Sequence, residues 1–160
     1  MSKILKIITN PDKRLRQKSI KIKNSEINEK KFQEFCNSLA KTMKKFDGVG
    51  LASPQVGVNI RLIAVNTKNG VIIMINPKIL KKSIIKEWGE EGCLSVPDTF
   101  GKVKRSKNLI CTFLDNKGNL KKISAQGLFA RVIQHEIDHL DGVLFIDKAR
   151  DIKKIESNKE

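Results

Sequence analysis

The clearest periodic pattern of apolar residues lies in residues 25–46. There the apolar positions recur mostly at steps of three or four, which is the spacing of one helix face. These positions are Phe32, Phe35, Cys36, Leu39, Met43 and Phe46. Ser25 suits the N-cap of a helix, and Gly48 suits its end. The pattern predicts one amphipathic helix over residues 25–46, with Cys36 as a core residue of that helix.

A second helical pattern covers residues 128–140 and stops before Gly142. The residues on neighbouring rows of this helix are Leu128, Val132, His135, Glu136 and His139. The tail that follows, residues 148–160, is strongly charged, and we expect a short surface helix in it. The patterns therefore place a helix near each end of the chain and a long helix before the tail.

Between the two long helices, the pattern changes to short β-branched runs separated by turn residues. Residues 60–65 and 71–75 flank Asn69-Gly70, whose residue types favour a tight hairpin turn. The other elements expected between the helices are a second hairpin over residues 109–114 and 120–124, a strand at residues 79–87, and glycine-bearing loops at residues 48–57 and 89–97. A further strand is expected before the first helix, at residues 3–8. This order of elements predicts an α+β fold. In it, mainly antiparallel strands pack around the central helix of residues 128–140, with an N-terminal helix and a short C-terminal helix.

Length and composition indicate one globular domain. A chain of 160 residues with 39% hydrophobic and 31% charged residues has enough apolar material for one core. We expect a single catalytic domain over residues 1–147, with residues 148–160 as a charged tail. The opening apolar run is too short for a secretory signal, and no run reaches the roughly 18 residues of a membrane span. The cytoplasm is therefore the expected location.

The net charge of +15 favours contact with polyanions such as RNA. However, the basic residues are scattered along the chain, only 5% of residues are aromatic, and there is no tyrosine to stack on bases. A compositional bias towards lysine, isoleucine and asparagine explains the charge better than a dedicated nucleic-acid function does. The three cysteines are an odd number at wide spacing, which argues against a disulfide framework.

The helix of residues 128–140 carries the pattern H-E-x-x-H. Its histidines, His135 and His139, are four residues apart, so both imidazoles project from one helix face and can bind one ion. Glu136 is badly angled for a third ligand but well placed to touch a water on that ion. These are the only histidines in the chain, and chance placement of both beside a glutamate is the less favoured interpretation. Asp138 either orients a ligand histidine or faces solvent.

A catalytic site with one metal ion requires a third protein ligand and an open position. No histidine follows His139, and the two glutamates that follow it, Glu156 and Glu160, lie in the tail. This removes the two common ligand sets of H-E-x-x-H peptidases. Cys93 is the favoured third ligand, because the glycine before it and Pro97 after it shape a bend that the backbone can approach closely. A thiolate suits a site with mixed nitrogen and sulfur ligands. The alternative is a buried free cysteine at a bend.

Three stretches of the chain together resemble the peptide deformylases, in the family's order and at similar separations. They are Gly48-Val-Gly-Leu-Ala-Ser-Pro-Gln55, Glu91-Gly-Cys-Leu-Ser95 and Gln134-His-Glu-Ile-Asp-His139. The resemblance covers nearly the whole chain, and three matched motifs are far more specific than one. It implies a metal-dependent hydrolase of protein biosynthesis. Its reaction would remove formate from the N-terminal formyl-methionine of newly made polypeptides.

The resemblance also implies roles for the matched residues. The metal ligands would be Cys93, His135 and His139. They would hold one divalent ion, with Fe(II) as the native ion and zinc, nickel or cobalt able to replace it. Glu136 would take a proton from water and later deliver one to the leaving amine. The implied site is therefore a single metal ion with an adjacent general base.

Further implied residues bind the substrate. Gln55, through its side-chain amide, and Leu94, through its backbone N–H, would stabilise the oxyanion. The implied contacts are Val49, Gly50 and Gly92 along the substrate backbone, and Leu128 and Val132 around its methionine side chain. The expected partners are N-formyl-methionyl nascent peptides, with weak ribosome proximity through the basic charge. We expect a monomer and no membrane contact.

The chain departs from the family pattern in two places. Ser53 stands where the family usually has alanine, and the tail is short, which puts a ribosome contact through a C-terminal helix in doubt. Arg105 matches a family arginine and is expected to pair with Glu90 or Glu91. Two other functions stay open on the sequence. One is a metallopeptidase that cuts internal bonds, and the other is a basic RNA-binding or ribosome-binding module with a closed four-ligand metal site.

Overall fold

The computed structural model describes residues 1–156. The helices in these residues are α1 (Asn24–Ile27), α2 (Lys30–Lys45) and α3 (Gly127–Leu140). The strands are β1 (Gly50–Ala52), β2 (Leu62–Thr67), β3 (Gly70–Lys82), β4 (Lys86–Cys93), β5 (Val96–Ser106), β6 (Asn108–Leu114), β7 (Leu120–Gln126) and β8 (Arg150–Lys154). Short 3-10 turns occur at Lys13–Arg16, Ser53–Val56 and Phe145–Asp147. None of the helices in this part of the chain is long and apolar enough to span a membrane.

The strands form two antiparallel sheets. The larger sheet has the order β1-β2-β3-β6-β7, and the smaller has the order β4-β5-β8. The pairs β2–β3 and β6–β7 are hairpins, which confirms both hairpin predictions. The predicted α+β class with mainly antiparallel strands is also confirmed. Since β1 and β4 each lie at the edge of a sheet, each has one side that no other strand of residues 1–156 occupies.

Helices α2 and α3 pack on opposite faces of the larger sheet. In β2, Leu62 and Ala64 belong to the core with α2, while Ile63 and Val65 belong to the core with α3. Successive side chains of a strand point to opposite faces, so a strand covered on both faces is apolar throughout. Cys36 of α2 is buried in the first of these cores, as predicted.

Two helix predictions are wrong in part. The single helix expected over residues 25–46 is divided into α1 and α2, because Glu29 adopts an extended conformation and begins a new helix. The short C-terminal helix expected in the tail is a strand, β8, at residues 150–154. These residues pair with the open edge of β5, and this pairing satisfies their backbone hydrogen-bonding groups. The charged sequence alone does not reveal that such an edge is available. The last four residues of that tail, 157–160, lie outside the described part of the chain.

The strand predicted over residues 3–8 is absent from both sheets. The N–H of Lys3 donates to Ser38 Oγ at 3.0 Å, and the N–H of Leu5 donates to Thr42 Oγ1 at 2.8 Å. Side chains of α2 therefore accept the hydrogen bonds of these two backbone N–H groups. The segment lies along α2 and does not pair with a strand.

Two predictions for the middle of the chain are also wrong. The strand predicted over residues 79–87 is divided between the end of β3 and the start of β4. The loop predicted over residues 89–97 mostly belongs to β4 and β5. Its glycines serve close packing between strands: a Cβ on Gly92 would lie 2.8 Å from the ring of Phe100. Glycine in this segment therefore marks contact between strands rather than a loop.

Candidate metal centre and active site

Helix α3 brings two imidazoles and a carboxylate into the interior. The rings of His135 and His139 have centroids 5.0 Å apart, and Glu136 is buried beside them. On the same helix, Ile133 and Leu140 are fully buried in the core. Their packing fixes the rotation of α3 and therefore the direction in which the histidines project.

Cys93, the last residue of β4, completes the cluster. Its Sγ lies 3.3 Å from Nε2 of His139, and one ligand atom each of Cys93, His135 and His139 lie within 4.8 Å of one another. A shift in the register of the β4–β5 pair at Cys93 redirects the strand at this point. In residues 1–156, this group contains no fourth histidine, cysteine or carboxylate, since Cys36 and Cys111 are buried in the two cores. The arrangement is therefore one of three candidate ligands.

A buried carboxylate orients the first histidine. Glu91 contacts Nδ1 of His135 at 2.8 Å and accepts hydrogen bonds from Arg105 Nε and Nη2 at 3.0 and 2.9 Å. The expected partner of Arg105 is thus Glu91 and not Glu90, and Arg105 also pairs with Asp138. Since Nδ1 of His135 is engaged by a carboxylate, its Nε2 is left for a metal ion.

The charges of this cluster favour a cation. Burial alone would raise the pKa of Glu91, but hydrogen bonds from His135 and Arg105 hold it well below its usual range. Burial alone would lower the pKa of His135, but contacts with Cys93 and Glu91 raise it to about 10. Burial, together with the neighbouring His135, holds the pKa of His139 well below its usual range. The surroundings of His135 thus stabilise a positive charge on its ring, and they would stabilise a bound divalent cation for the same reason.

The donor set fits a divalent metal ion. Two imidazoles and one thiolate are ligands that zinc and related ions accept. In the described residues, Oε2 of Glu136 is buried without a hydrogen-bond partner, and so is Nδ1 of His139. Burial raises the pKa of Glu136 to about 7, despite the lowering effect of His135. A buried carboxylate of this kind is costly unless a polar ligand reaches it, and it can exchange a proton near neutral pH.

The 3-10 turn at Ser53–Val56 places an amide beside the cluster. Oε1 of Gln55 accepts a hydrogen bond from the N–H of Ala52 at 2.9 Å, which fixes the amide orientation. Nε2 of Gln55 donates to Cys93 Sγ at 3.4 Å and to Ser95 Oγ at 3.2 Å. The hydroxyl of Ser53 donates to the carbonyl of Val58 at 2.8 Å and does not contact the Gln55 amide. Serine at this position is therefore compatible with the orientation of Gln55.

A cleft of about 480 Å³ opens onto the cluster. It is bounded by all of the residues predicted to bind substrate, together with most of the predicted catalytic and metal-binding residues. They are Val49, Gly50, Gln55, Gly92, Cys93, Leu94, Leu128, Val132, His135 and Glu136. His139 lies behind this surface and is 1% exposed. The structure therefore brings all of the predicted site residues together, and eight of them come from outside the H-E-x-x-H pattern.

Arg131, which also borders the cleft, was missed by the sequence analysis. Arg131 donates to Glu91 Oε2 at 2.7 Å, to the carbonyl of Val103 at 2.9 Å and to that of Glu87 at 2.8 Å. A Cβ on Gly89 would lie 2.7 Å from the Arg131 guanidinium carbon, so the absence of a side chain at Gly89 leaves room for the Arg131 guanidinium. The helical spacing of Arg131 to His135 was the available indication, since residues four apart share a helix face.

Gly50 is expected to tolerate no side chain. A Cβ at this position would lie 2.7 Å from Glu136 Oε1 and 2.9 Å from Val132 Cγ1, so the carboxylate or β1 must move. Because small displacements of catalytic groups reduce rates strongly, Gly50→Ala should lower kcat/KM about 100-fold while metal content is kept. Gly48→Ala is the control, since a Cβ there would lie 3.3 Å from Gly50 O and Met43 Cγ and requires shifts of only a few tenths of an ångström, so it should lose much less activity. Equal rates for the two variants would contradict this prediction.

The fold and the cluster together define a class of protein. An H-E-x-x-H helix packed against antiparallel sheets, with a cysteine as third candidate ligand and a buried glutamate at an open cleft, is the site of a metal-dependent hydrolase. The family model described as polypeptide deformylase matches residues 4–155. The chain belongs to the peptide deformylase family.

Individual relatives agree with this assignment. The peptide deformylase of Syntrophomonas wolfei is 44% identical over 146 residues, which cover 91% of this chain and 93% of the relative. The crystal structure of the Thermotoga maritima peptide deformylase has a TM-score of 0.87 at 36% identity, covering 92% of this chain and 99% of that one. A class I type b peptide deformylase from Acinetobacter baumannii has a TM-score of 0.87 at 33% identity, with the same coverage of 92% and 99%.

These matches confirm the predicted family and enzyme class. Peptide deformylases are metal-dependent hydrolases that remove the N-formyl group from nascent polypeptides. The resemblance drawn from three short motifs thus extends over residues 4–155.

Proposed function

We propose that this deformylase holds one divalent ion through Cys93, His135 and His139, and that Glu136 transfers protons beside it. The observation that carries the proposal is the convergence of three candidate ligands within 4.8 Å of one another, next to a buried glutamate. Fe(II) is the proposed ion in the cell, with zinc, nickel or cobalt able to occupy the same ligands.

The proposed reaction adds water to the formyl carbon and breaks the C–N bond to methionine. A bound ion would polarise the formyl carbonyl and make water a stronger nucleophile at neutral pH. Glu136 accepts the proton that the attacking water loses, and it delivers a proton to the amine nitrogen as formate leaves. Its pKa of about 7 suits both transfers, since burial has weakened its acidity. The amide of Gln55 and the N–H of Leu94 donate to the oxygen on which negative charge develops.

The proposed substrate backbone lies between the two sheets. β1 and β4 are both edge strands, and both border the cleft. A peptide added along Val49-Gly50 on one side and Gly92 on the other would pair with the open edges of β1 and β4, as in β-strand addition. The carbonyl of Val49 already accepts a hydrogen bond from the N–H of Asn66 at 2.9 Å. The methionine side chain would pack on Leu128 and Val132. The related Acinetobacter baumannii enzyme has been crystallised with Met-Ala-Ser bound, which supports a short peptide as the occupant of this cleft.

The proposed setting is the cytoplasm, where N-formyl-methionyl nascent peptides are the substrates. We propose a monomer that stays close to the ribosome through its net charge of +15. A ribosome contact through a C-terminal helix is not part of the proposal, because residues 150–154 form β8.

The decisive experiment is a formate-release assay. The purified protein, loaded anaerobically with Fe(II), zinc, nickel or cobalt in separate samples, should release formate from formyl-Met-Ala-Ser. Removal of the metal with a chelator should abolish release, and readdition should restore it. An acetyl-Met-Ala-Ser peptide is the control for the acyl group. Cleavage of internal bonds in unblocked peptides, without formate release, would instead identify the metallopeptidase alternative.

A further inference from the structure

A second concavity lies on another face of α3, between the two sheets. Its volume is about 620 Å³, and Gln134, Ile137 and Asp138 of α3 border it. Each helical residue turns by about 100°, so Gln134 and Ile137 point away from the face on which His135 lies. We call this concavity the basic groove. Its cations other than the buried Arg105 are Arg61, Lys78, Lys82, Lys86, Lys104 and Lys148.

The basic groove and the active-site cleft have opposite charge. Of the fifteen residues that border the groove, seven are lysine or arginine and two are aspartate. In the whole chain only 32 of 160 residues are basic, so the groove is enriched more than twofold. The cleft has five acidic residues and a single arginine on its border. Lysines that are scattered along the sequence are thus concentrated in space, on one side of α3.

Most of the groove's positive charge is not neutralised by the protein. Its two carboxylates already have partners: Asp141 pairs with Arg61 at 3.0 Å, and Asp138 pairs with Lys148 at 3.0 Å. The lysine side chains that form ion pairs within residues 1–156 are Lys102, Lys107, Lys121 and Lys148. The other four groove lysines, at positions 78, 82, 86 and 104, are therefore exposed cations around one concavity, with no carboxylate partner among residues 1–156. Their mutual repulsion is relieved by a bound polyanion.

We propose that the basic groove binds the phosphate backbone of double-helical RNA. No aromatic side chain of the described residues borders the groove, so it offers no surface on which unpaired bases stack. Lys104 Nζ lies 5.9 Å from the Trp88 ring centroid, but Trp88 does not line the groove. Lysines contact phosphates, and a duplex presents these in a fixed array while hiding its bases. The choice of RNA over other polyanions rests on the proposed function, since nascent chains emerge from an RNA-rich particle. The charge asymmetry itself does not depend on that function.

The test compares two variants of equal net charge. The groove variant carries Lys78→Gln, Lys82→Gln, Lys86→Gln and Lys104→Gln. The control variant carries Lys31→Gln, Lys41→Gln, Lys44→Gln and Lys45→Gln, which alter exposed lysines of α2. Binding to an RNA duplex of about 20 base pairs is measured by fluorescence anisotropy between about 50 and 200 mM salt.

The groove variant should bind the duplex at least about tenfold more weakly than the wild type, with a salt dependence shallower by about three ions. The control variant should stay within about threefold of the wild type. Equal weakening of both variants would overturn the proposal, because net charge alone would then explain binding. Absence of duplex binding by the wild type at low salt would overturn it as well.

Two further measurements separate the alternatives. Vesicles of phosphatidylcholine and phosphatidylglycerol are tested with the same proteins. If the groove variant loses only vesicle binding, the groove binds a lipid surface and the RNA proposal is wrong. Formate release from formyl-Met-Ala-Ser should be equal in all three proteins and shows that they are folded. If no protein releases formate while RNA binding follows the expected order, the proposed function fails and the groove proposal is supported.

Discussion

Glu136→Gln is expected to retain the metal ion and to lose most of the deformylase activity. Glutamine has nearly the size of glutamate, so α3 and the neighbouring ligands His135 and His139 should keep their positions. It cannot accept a proton from water, and general acid–base groups typically contribute about 10² to 10⁴ in rate. We therefore expect kcat to fall by about 10³ with KM little changed. Metal content by mass spectrometry and initial rates of formate release measure the two parts of this prediction.

The matched control is Glu90→Gln. Glu90 also borders the cleft but is exposed, and the substitution makes the same change of charge. It should keep kcat within about threefold, as is usual for exposed positions that touch no reacting atom. A Glu136→Gln enzyme with normal metal content and undiminished kcat would refute the assigned proton transfer. Loss of the metal in this variant would instead make Glu136 a ligand or a structural support of the ligands.

Helix α3 shows how much of the site follows from sequence. Its apolar residues and its histidines have one helical period, so the face that carries the ligands could be predicted without any knowledge of the rest of the fold. The hairpins β2–β3 and β6–β7 are likewise local, since their turns join adjacent strands. Cys93 could be selected only because other ligands were missing and the motifs resembled a family. Its distance to His139 depends on how β4 reaches α3 across the fold.

The parts that could not be predicted depend on distant partners. Gly92 resembled a loop residue, yet its missing side chain leaves space for Phe100 of the next strand. Residues 150–154 resembled a surface helix, yet they pair with the open edge of β5. Arg131 was not singled out from the sequence, yet it binds Glu91, which in turn orients His135. In each case the sequence showed the polarity of the segment. It did not indicate which group from a distant element would contact it.

The concentration of lysines around the basic groove also results from contacts between elements that are distant in sequence. Because the lysines are scattered along the sequence, a compositional bias was the favoured explanation of the net charge. That interpretation considered only the order of residues along the chain, not their positions in space. Residues 78 and 82 of β3 meet residue 104 of β5 only when the two sheets pack around α3. Charge asymmetry between the two faces of α3 is therefore a property of the fold, which no count along the sequence reveals.

Cys93→Ala is expected to remove the metal ion and, with it, the activity. The variant leaves His135 and His139 as the candidate ligands, and two imidazoles hold a divalent ion much less tightly than two imidazoles and a thiolate. We expect metal affinity to fall by at least about 10³, because loss of a ligand should exceed the 10- to 100-fold cost of losing a group that only orients one. Competition with a chelator measures the affinity. In the cobalt-substituted protein, the absorption band that a thiolate ligand gives should be present in the wild type and absent in Cys93→Ala.

Cys36→Ala is the control for removal of a thiol. Burial raises the pKa of Cys36 to about 12, so this thiol stays protonated within the core of α2 and is a poor ligand. The variant should bind the metal and release formate as the wild type does, with a melting temperature lower by a few degrees because a buried atom is lost. If Cys93→Ala kept both the cobalt–thiolate band and the affinity, Cys93 would not be a ligand. If it lost the band but kept full activity, the thiolate would bind the ion without being needed for the reaction. The expected joint loss follows only if the thiolate both binds the ion and holds it where Glu136 and Gln55 can act.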